Sequence, residues 1–265
     1  MSQLRLKQVA LVTTELGAVL DDLAAVFGLR VAFRDPMVAR FGLRNAVLPV
    51  GAQFLEVIEP VQAGTAAGRY LERRGGPGGY MVITHTGDQS AYRQRLPGLG
   101  VRVAFEFEAG GFRCLQLHPS DTGGAFFEID EQDGADRPGG PWPPAGPEWP
   151  SAVSTAVISG IEGVRIQCAE PARVAARWAR IVQRDLGGGG REILELDAGR
   201  IEFTGLTAGR GDGLSAVLVR AADQARALSA ATARGLPVGA GEVTICGTRF
   251  VLQQDRRKAP SEARA

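Results

Sequence analysis

The sequence predicts an α+β fold assembled from four βαβββ modules, on three observations. Short β-type runs set off by glycine or proline alternate with single amphipathic helices along most of the chain. A Pro/Gly-rich break from Asp133 to Ser151, DGADRPGGPWPPAGPEWPS, interrupts every periodic pattern and divides the 265 residues into halves. The 48-residue interval from Gln8 to Glu56 recurs from Tyr80 to Glu128, as a duplicated module requires.

In the first module, Gln8 to Val12 (QVALV) reads as a buried strand. Glu15 to Phe27 then places Leu16, Val19, Leu20, Leu23 and Val26 at helical spacing. RNAVLPV and AQFLEVIEP follow as strands parted by Gly51, and the unit ends near Pro60. In the second, GYMVITHT is a strand, Gln89 to Leu96 a short helix, and VRVAFEFE, FRCLQLHP and GGAFFEIDE are three further strands. The third module runs GVRIQCAEP, a helix from Ala172 to Val182, REILELDAG and RIEFTGL. The fourth runs GLSAVLVRAAD, a helix from Gln224 to Arg234, GEVTICG and TRFVLQQ, with Asp223-Gln224 repeating Asp88-Gln89 at the strand-to-helix junction.

The expected organisation is therefore an N-terminal domain over 1–132, a linker over 133–154, a C-terminal domain over 155–255 and a frayed tail over 256–265. Trp142 and Trp149 are unusual in a tether and predict a linker pinned across a domain surface by its rings. The tetraglycine Gly187 to Gly190 lacks the Lys-Ser/Thr of a phosphate loop and reads as a turn.

Composition excludes several classes. A formal net charge of +1 offers no basic face for nucleic acid. No apolar run approaches the roughly 20 residues of a membrane span, and the N-terminus alternates polar and apolar residues where a signal peptide has an apolar core, so the expectation is a cytoplasmic protein without membrane contact. Cys114, Cys168 and Cys246 are odd in number and far apart, as ordinary reduced thiols are. Lysine occurs only as Lys7 and Lys258, and the Arg, Ala and Gly content fits a GC-rich bacterial coding sequence.

The strand QVALVTTEL running into a helix, FLEVIEP, GYMVIT followed by Asp88, and LHPSDTGGAFFEIDE resemble the vicinal oxygen chelate (glyoxalase-like) superfamily. The Gly-Gly turn before a strand carrying Glu128 is the most specific of these. The resemblance implies modules paired into two cupped mixed sheets, with four inward side chains converging on a divalent metal. The corresponding positions are Gln8, Glu56, Tyr80 and Glu128, of which Tyr80 departs from the histidine usual in the family. A phenol ligates poorly until it loses a proton near pH ~10. Two readings stay open. Gln8, Glu56 and Glu128 hold a divalent ion (Mg, Mn, Zn or Ni), or there is no metal and the two glutamates form a carboxylate pair in which one pKa is raised. On alternating strands each glutamate also has a simpler reading as a solvent-facing residue.

The matching positions of the second half, Gly163, Glu202, Ser215 and Val251, offer one carboxylate, and this half reads as degenerate; Arg165 there suits an anionic ligand group. With His85 and His118 the only histidines, the ligand set of a ring-cleaving dioxygenase is missing. His85 has odd parity to Tyr80 and is expected to point away from the cup, and His118 before Pro119 reads as turn geometry. The implied activity is that of an isomerase, epimerase or lyase moving a proton next to a carbonyl on a small carbonyl or carboxylate substrate. Glu128, Glu56 and Tyr80 would be catalytic, and Gln8, Tyr80 and Arg165 would contact substrate. The alternative is a non-catalytic binding protein of the bleomycin-resistance kind. A homodimer is one assembly open to the chain, and the sequence does not fix the number of subunits.

Overall fold

The structure, a computed structural model, describes residues 3–187, 192–207 and 209–254. The tetraglycine turn beyond Gly187 and the expected tail lie outside the described residues. The first half contains β1 (Leu4–Val12), α1 (Leu16–Phe27), β2 (Leu43–Val50), β3 (Gln53–Pro60), α2 (Ala66–Arg74), β4 (Gly78–Thr86), α3 (Gln89–Arg95), β5 (Val103–Ala109), β6 (Phe112–Leu117), the single turn α4 (Pro119–Thr122) and β7 (Phe126–Gln132). The second half contains β8 (Ile158–Gln167), α5 (Pro171–Val182), β9 (Ile193–Glu195), β10 (Arg200–Thr204), β11 (Gly213–Ala221), α6 (Gln224–Ala233), β12 (Val238–Gly239), β13 (Glu242–Ile245) and β14 (Thr248–Gln254).

These strands form two curled seven-stranded mixed sheets with one plan, β2-β3-β1-β4-β7-β6-β5 and β9-β10-β8-β11-β14-β13-β12. In the first, β1 and β4 run antiparallel at the centre, each with a parallel partner, β3 and β7. In the second, β8 and β11 repeat this with β10 and β14.

Local chemistry sets the helix ends. The left-handed Gly28 (φ 68°) closes α1, its N–H returning to the last turn. The repeated Asp-Gln pair proves to be a cap: Asp88 accepts the Ala91 N–H at 3.1 Å, and Asp223 accepts that of Arg226 at 3.0 Å. Two features of the first module depart from the expected pattern. Asp35-Pro36 caps a 3-10 helix, Pro36–Phe41, and the chain between α1 and this helix pairs with β2 through one bridge, Phe33 to Val47. The helix α2, unanticipated, is capped by Thr65 and buries Tyr70 and Leu71.

The helix-side faces of both sheets share one apolar core with α1, α3, α5 and α6. Phe27 of α1 meets Phe250 of β14 at 5.2 Å between ring centroids, and Trp178 of α5 stacks on Phe127 of β7 at 4.3 Å. Gln53 joins the sheets directly, donating to the Ile161 carbonyl at 2.6 Å and accepting its N–H at 2.8 Å. A second apolar cluster lies on the cup face of the first sheet and includes Phe54, Tyr80, Met81, Ile83 and Phe126. The segment 133–154 crosses this face with Trp142 and Trp149 buried in it, Trp142 stacked on Phe54 at 6.1 Å. Among the described residues no helix is long and apolar enough to cross a membrane.

Candidate functional site

A cavity of about 450 Å³ opens on the cup face of the first sheet, with Gln8, Glu56, Tyr80 and Glu128 all in its wall. Its mouth is apolar: Met37 and Phe41 of the 3-10 helix are more than 40% exposed, and Phe105 and Phe107 of β5 stand beside them. The guanidinium of Arg40 lies 4.8 Å from the Phe41 ring at this rim.

Inside, polar side chains form an ordered chain. The Trp142 indole N–H donates to Gln8 Oε1 at 2.7 Å, Gln8 Nε2 donates to Glu56 Oε2 at 2.9 Å, and Asn45 Nδ2 donates to Glu56 Oε1 at 2.6 Å. Asn45 is oriented in turn by the Asp35 N–H, which donates to its Oδ1 at 2.9 Å. The orientation of each amide is thus fixed by a donor outside the pair, and both present N–H groups to Glu56. Burial pushes the Glu56 carboxyl up to about 7; the Glu128 charge adds to this, while the Asn45 and Gln8 donors pull the other way.

Glu128 and Asp130 sit two residues apart on β7 and therefore share a face. Glu128 keeps part of its surface open, whereas Asp130 is buried with no partner at full hydrogen-bond geometry, its polar neighbours being the Leu115 N–H, the Cys114 thiol and Glu128. Burial raises both carboxyls, and Asp130 is raised further by Glu128 beside it. Burial also raises the phenol of Tyr80, so it stays protonated and can only donate its hydrogen outward or accept.

Strand register changes the assignment at Tyr80. Ala10 opposes Glu56 and Ile83 opposes Glu128, so the counterpart of Gln8 on β4 is Met81 and the interval from it to Glu128 is one residue shorter than that from Gln8 to Glu56. Ala10 pairs with Met81 and Leu11 with Gly79, which leaves Tyr80 as the extra residue of a β-bulge. Tyr80 and Met81 consequently both reach the cup cluster. The same bulge reverses the expected direction of His85: it lies on the cup side, its ring edge-on to Trp142 at 6.1 Å and its Nε2 3.0 Å from the Gln132 carbonyl.

Arg165 is not part of this cavity. It lies on β8 of the second sheet, 2.8 Å from Glu202, which also accepts from Arg200 at 2.9 Å. The expected free guanidinium for an anionic ligand is already paired. A larger cleft of about 600 Å³ lies in the seam between the halves, where Arg5 pairs with Asp136 at 3.3 Å, Arg220 pairs with Glu162 at 2.8 Å, and Lys7 donates to the Ala52 and Ala135 carbonyls.

The residues missed by sequence reasoning are Asn45, Cys114, Asp130 and Trp142. Alternation from Glu128 could have found Asp130. Nothing local marks Asn45 or Cys114, and Trp142 was expected to pin the linker without reaching Gln8.

The whole two-sheet arrangement occurs in a hypothetical protein from Staphylococcus aureus, which overlays on 95% of this chain and 99% of its own at a TM-score of 0.64 and 13% identity. The chain has the vicinal oxygen chelate fold. Shorter overlays fall on Streptomyces coelicolor methylmalonyl-CoA epimerase in complex with 2-nitronate-propionyl-CoA (23% identity, 50% of this chain and 99% of that one, TM-score 0.45) and on methylmalonyl-CoA epimerase from Mycobacterium tuberculosis (23%, 48% and 87%, 0.43). No family model and no curated protein matches the chain.

The metal that the vicinal oxygen chelate fold implies can be tested on the donors. Of the four register positions, Gln8 has its oxygen taken by Trp142, Glu56 has both oxygens taken by amide N–H groups, and Met81 offers only a thioether. That set does not suit a hard divalent ion. A different set could hold one: Cys114, Glu128 and Asp130 place one ligand atom each within 4.8 Å of one another.

Proposed function

We propose that the cavity binds a small, mostly apolar carbonyl compound and moves a proton at the carbon beside its carbonyl, as an isomerase or epimerase does, with Glu56 as the base. The observation that carries this reading is Glu56 itself: a buried carboxyl facing only neutral N–H donors, raised to about 7. A base is most effective when its pKa lies near the working pH. Gln8 and Asn45 hold its two oxygens in place, so the carboxylate reaches the substrate without reorganising. Glu128, partly open and also raised, serves as the opposing acid that returns a proton or donates to the substrate oxygen, and Tyr80 is a neutral hydrogen-bond donor in the same wall. A bound divalent ion would polarise the carbonyl oxygen. No lysine or arginine contributes to the environment of Glu128 or Asp130, and the guanidinium that lines the cavity, Arg40, stands at its mouth, so a free carboxylate is disfavoured beside the reacting carbon. Aldehydes, ketones and thioesters are preferred.

The apolar mouth also supports a second reading, a sequestering protein that holds a hydrophobic ligand without reaction. Solvent hydrogen exchange separates the two. The protein is incubated in D2O with a panel of ketones, hemithioacetals and acyl-CoA thioesters, and proton NMR follows loss of the C–H beside the carbonyl. Exchange that disappears in Glu56→Gln supports the enzyme. A ligand that raises the melting temperature while no compound exchanges points to sequestration.

A further inference from the structure

Cys114 on β6 and Glu128 and Asp130 on β7 meet where these strands face the cavity, and all three line it. Asp130 supplies an independent sign that something belongs there. It is 1% exposed, lies in the cavity wall, and neither oxygen has a partner at full hydrogen-bond geometry, the Leu115 N–H, the Cys114 thiol and Glu128 being its polar neighbours. No lysine or arginine contributes to the environment of either carboxyl. Buried polar atoms are almost always satisfied, and a buried carboxyl without donor or counter-charge is costly unless a proton or a cation sits against it.

We infer that Cys114, Glu128 and Asp130 form a divalent-cation site of the zinc and cobalt class, displaced toward β6 from the four positions implied by the fold. The donors set the ion. A thiolate sulfur disfavours magnesium and calcium, which take oxygen ligands, whereas zinc and cobalt accept sulfur together with carboxylate oxygen. Three protein ligands leave a coordination position free, which is the pattern of reactive zinc sites as opposed to closed structural ones. The exposure of Glu128, the only one of the three not fully buried, directs that free position into the cavity. Displacement follows from the hydrogen-bond chain: with Trp142 on Gln8 and one amide on each Glu56 oxygen, the β1–β3 oxygens are already engaged and oriented by neutral donors, and Met81 stands where the family has histidine. The site shares Glu128 with the proton-transfer reading, as a ligand when the ion is bound and as an acid when it is not, but leaves the role of Glu56 as base untouched.

The test uses the full-length protein, stripped with a chelator and titrated with cobalt(II) alone under reducing conditions. One equivalent is expected to bind with an intense thiolate-to-cobalt charge-transfer band. Cys114→Ser should lose that band, and Asp130→Asn should weaken binding roughly tenfold or more. Glu56→Gln should bind cobalt as the parent does, and circular dichroism of each variant checks that it is folded. If Cys114→Ser does not fold, the Asp130→Asn and Glu56→Gln pair decides. Absence of binding, a charge-transfer band that persists in Cys114→Ser, or loss of binding in Glu56→Gln with retention in Asp130→Asn each overturns the site. Hydrogen exchange by the stripped protein is scored separately, so a failed metal site leaves the reading of Glu56 as base open to its own test.

Discussion

Replacing Trp142 with phenylalanine keeps a ring between Phe54 and Phe112 but deletes the indole N–H that holds Gln8. Gln8 is 2% exposed, so its Oε1 would be left as a buried acceptor without a donor, at a cost of about 1–3 kcal/mol. The amide can relieve this by turning over, which directs Oε1 at Glu56. An ionised Glu56 repels that oxygen, whereas a protonated Glu56 donates to it. Removing the indole N–H therefore favours the protonated carboxyl. If about 1 kcal/mol of the lost bond is recovered in that form, the pKa of Glu56 rises by roughly 0.7 unit, at 1.36 kcal/mol per unit. The starting value is about 7. Carbon-13 NMR of glutamate-labelled protein across a pH titration reads the midpoint directly, and the pH dependence of solvent exchange should move with it. An unchanged or lower midpoint in a folded Trp142→Phe variant refutes the claim that this ring sets the orientation of Gln8.

Glu56→Gln should reduce solvent exchange by about 100-fold or more, measured by NMR. The same variant bears on stability. The folded pKa of Glu56, about 7, lies above its ordinary 4.5, so its contribution is fully present below pH 4.5 and is lost as pH rises to 7, by about 3 kcal/mol. Urea unfolding at several pH values should show that loss flattened in the variant. Arg165→Ala should leave exchange unchanged and shift the urea midpoint only slightly, because its partner Glu202 keeps Arg200. Trp178→Ala should cost about 3–5 kcal/mol in unfolding experiments, since this side chain is fully buried against Phe127 and Phe203 and joins the two halves. Residues 1–132 expressed alone should bind a hydrophobic dye or aggregate, because their helix-side face shares its core with the second half; a well-dispersed NMR spectrum of a monomer would count against that.

Alternation and helical spacing made most strands and helices legible, because each module buries one face and local period follows burial. What escaped were features that depend on pairing. The equal intervals ending at Glu56 and Glu128 located two carboxylates that do meet in one cavity, yet the match fell on Tyr80 because the stretch from Met81 to Glu128 is one residue shorter than that from Gln8 to Glu56, and the bulge then turns Tyr80 into the cup. Parity counted through a bulge inverts, and so His85 was expected on the wrong face. The role of Asn45 depends on its strand lying beside β3, and that of Trp142 on a linker returning across the cup. Both are contacts between distant stretches, without a periodic signature.

The two sheets share a backbone plan but treat their matching carboxylates in opposite ways. Glu202 on β10 is the counterpart of Glu56 on β3: Arg165 opposes it as Ala10 opposes Glu56. Burial pushes Glu202 up, but the Arg165 and Arg200 guanidiniums outweigh it and hold the carboxyl below its ordinary range. A carboxylate stabilised by two cations gives up much of its basicity and is screened from any ligand by the groups that pair with it. Glu56 receives two directed hydrogen bonds, both from neutral amides, against three from guanidiniums at Glu202, and the amides orient its oxygens without supplying positive charge. Its burial is therefore left uncompensated, and its pKa rises where that of Glu202 falls. Amide partners thus leave Glu56 raised where guanidinium partners hold Glu202 down, and this difference is why the proposed base is Glu56 of the first sheet.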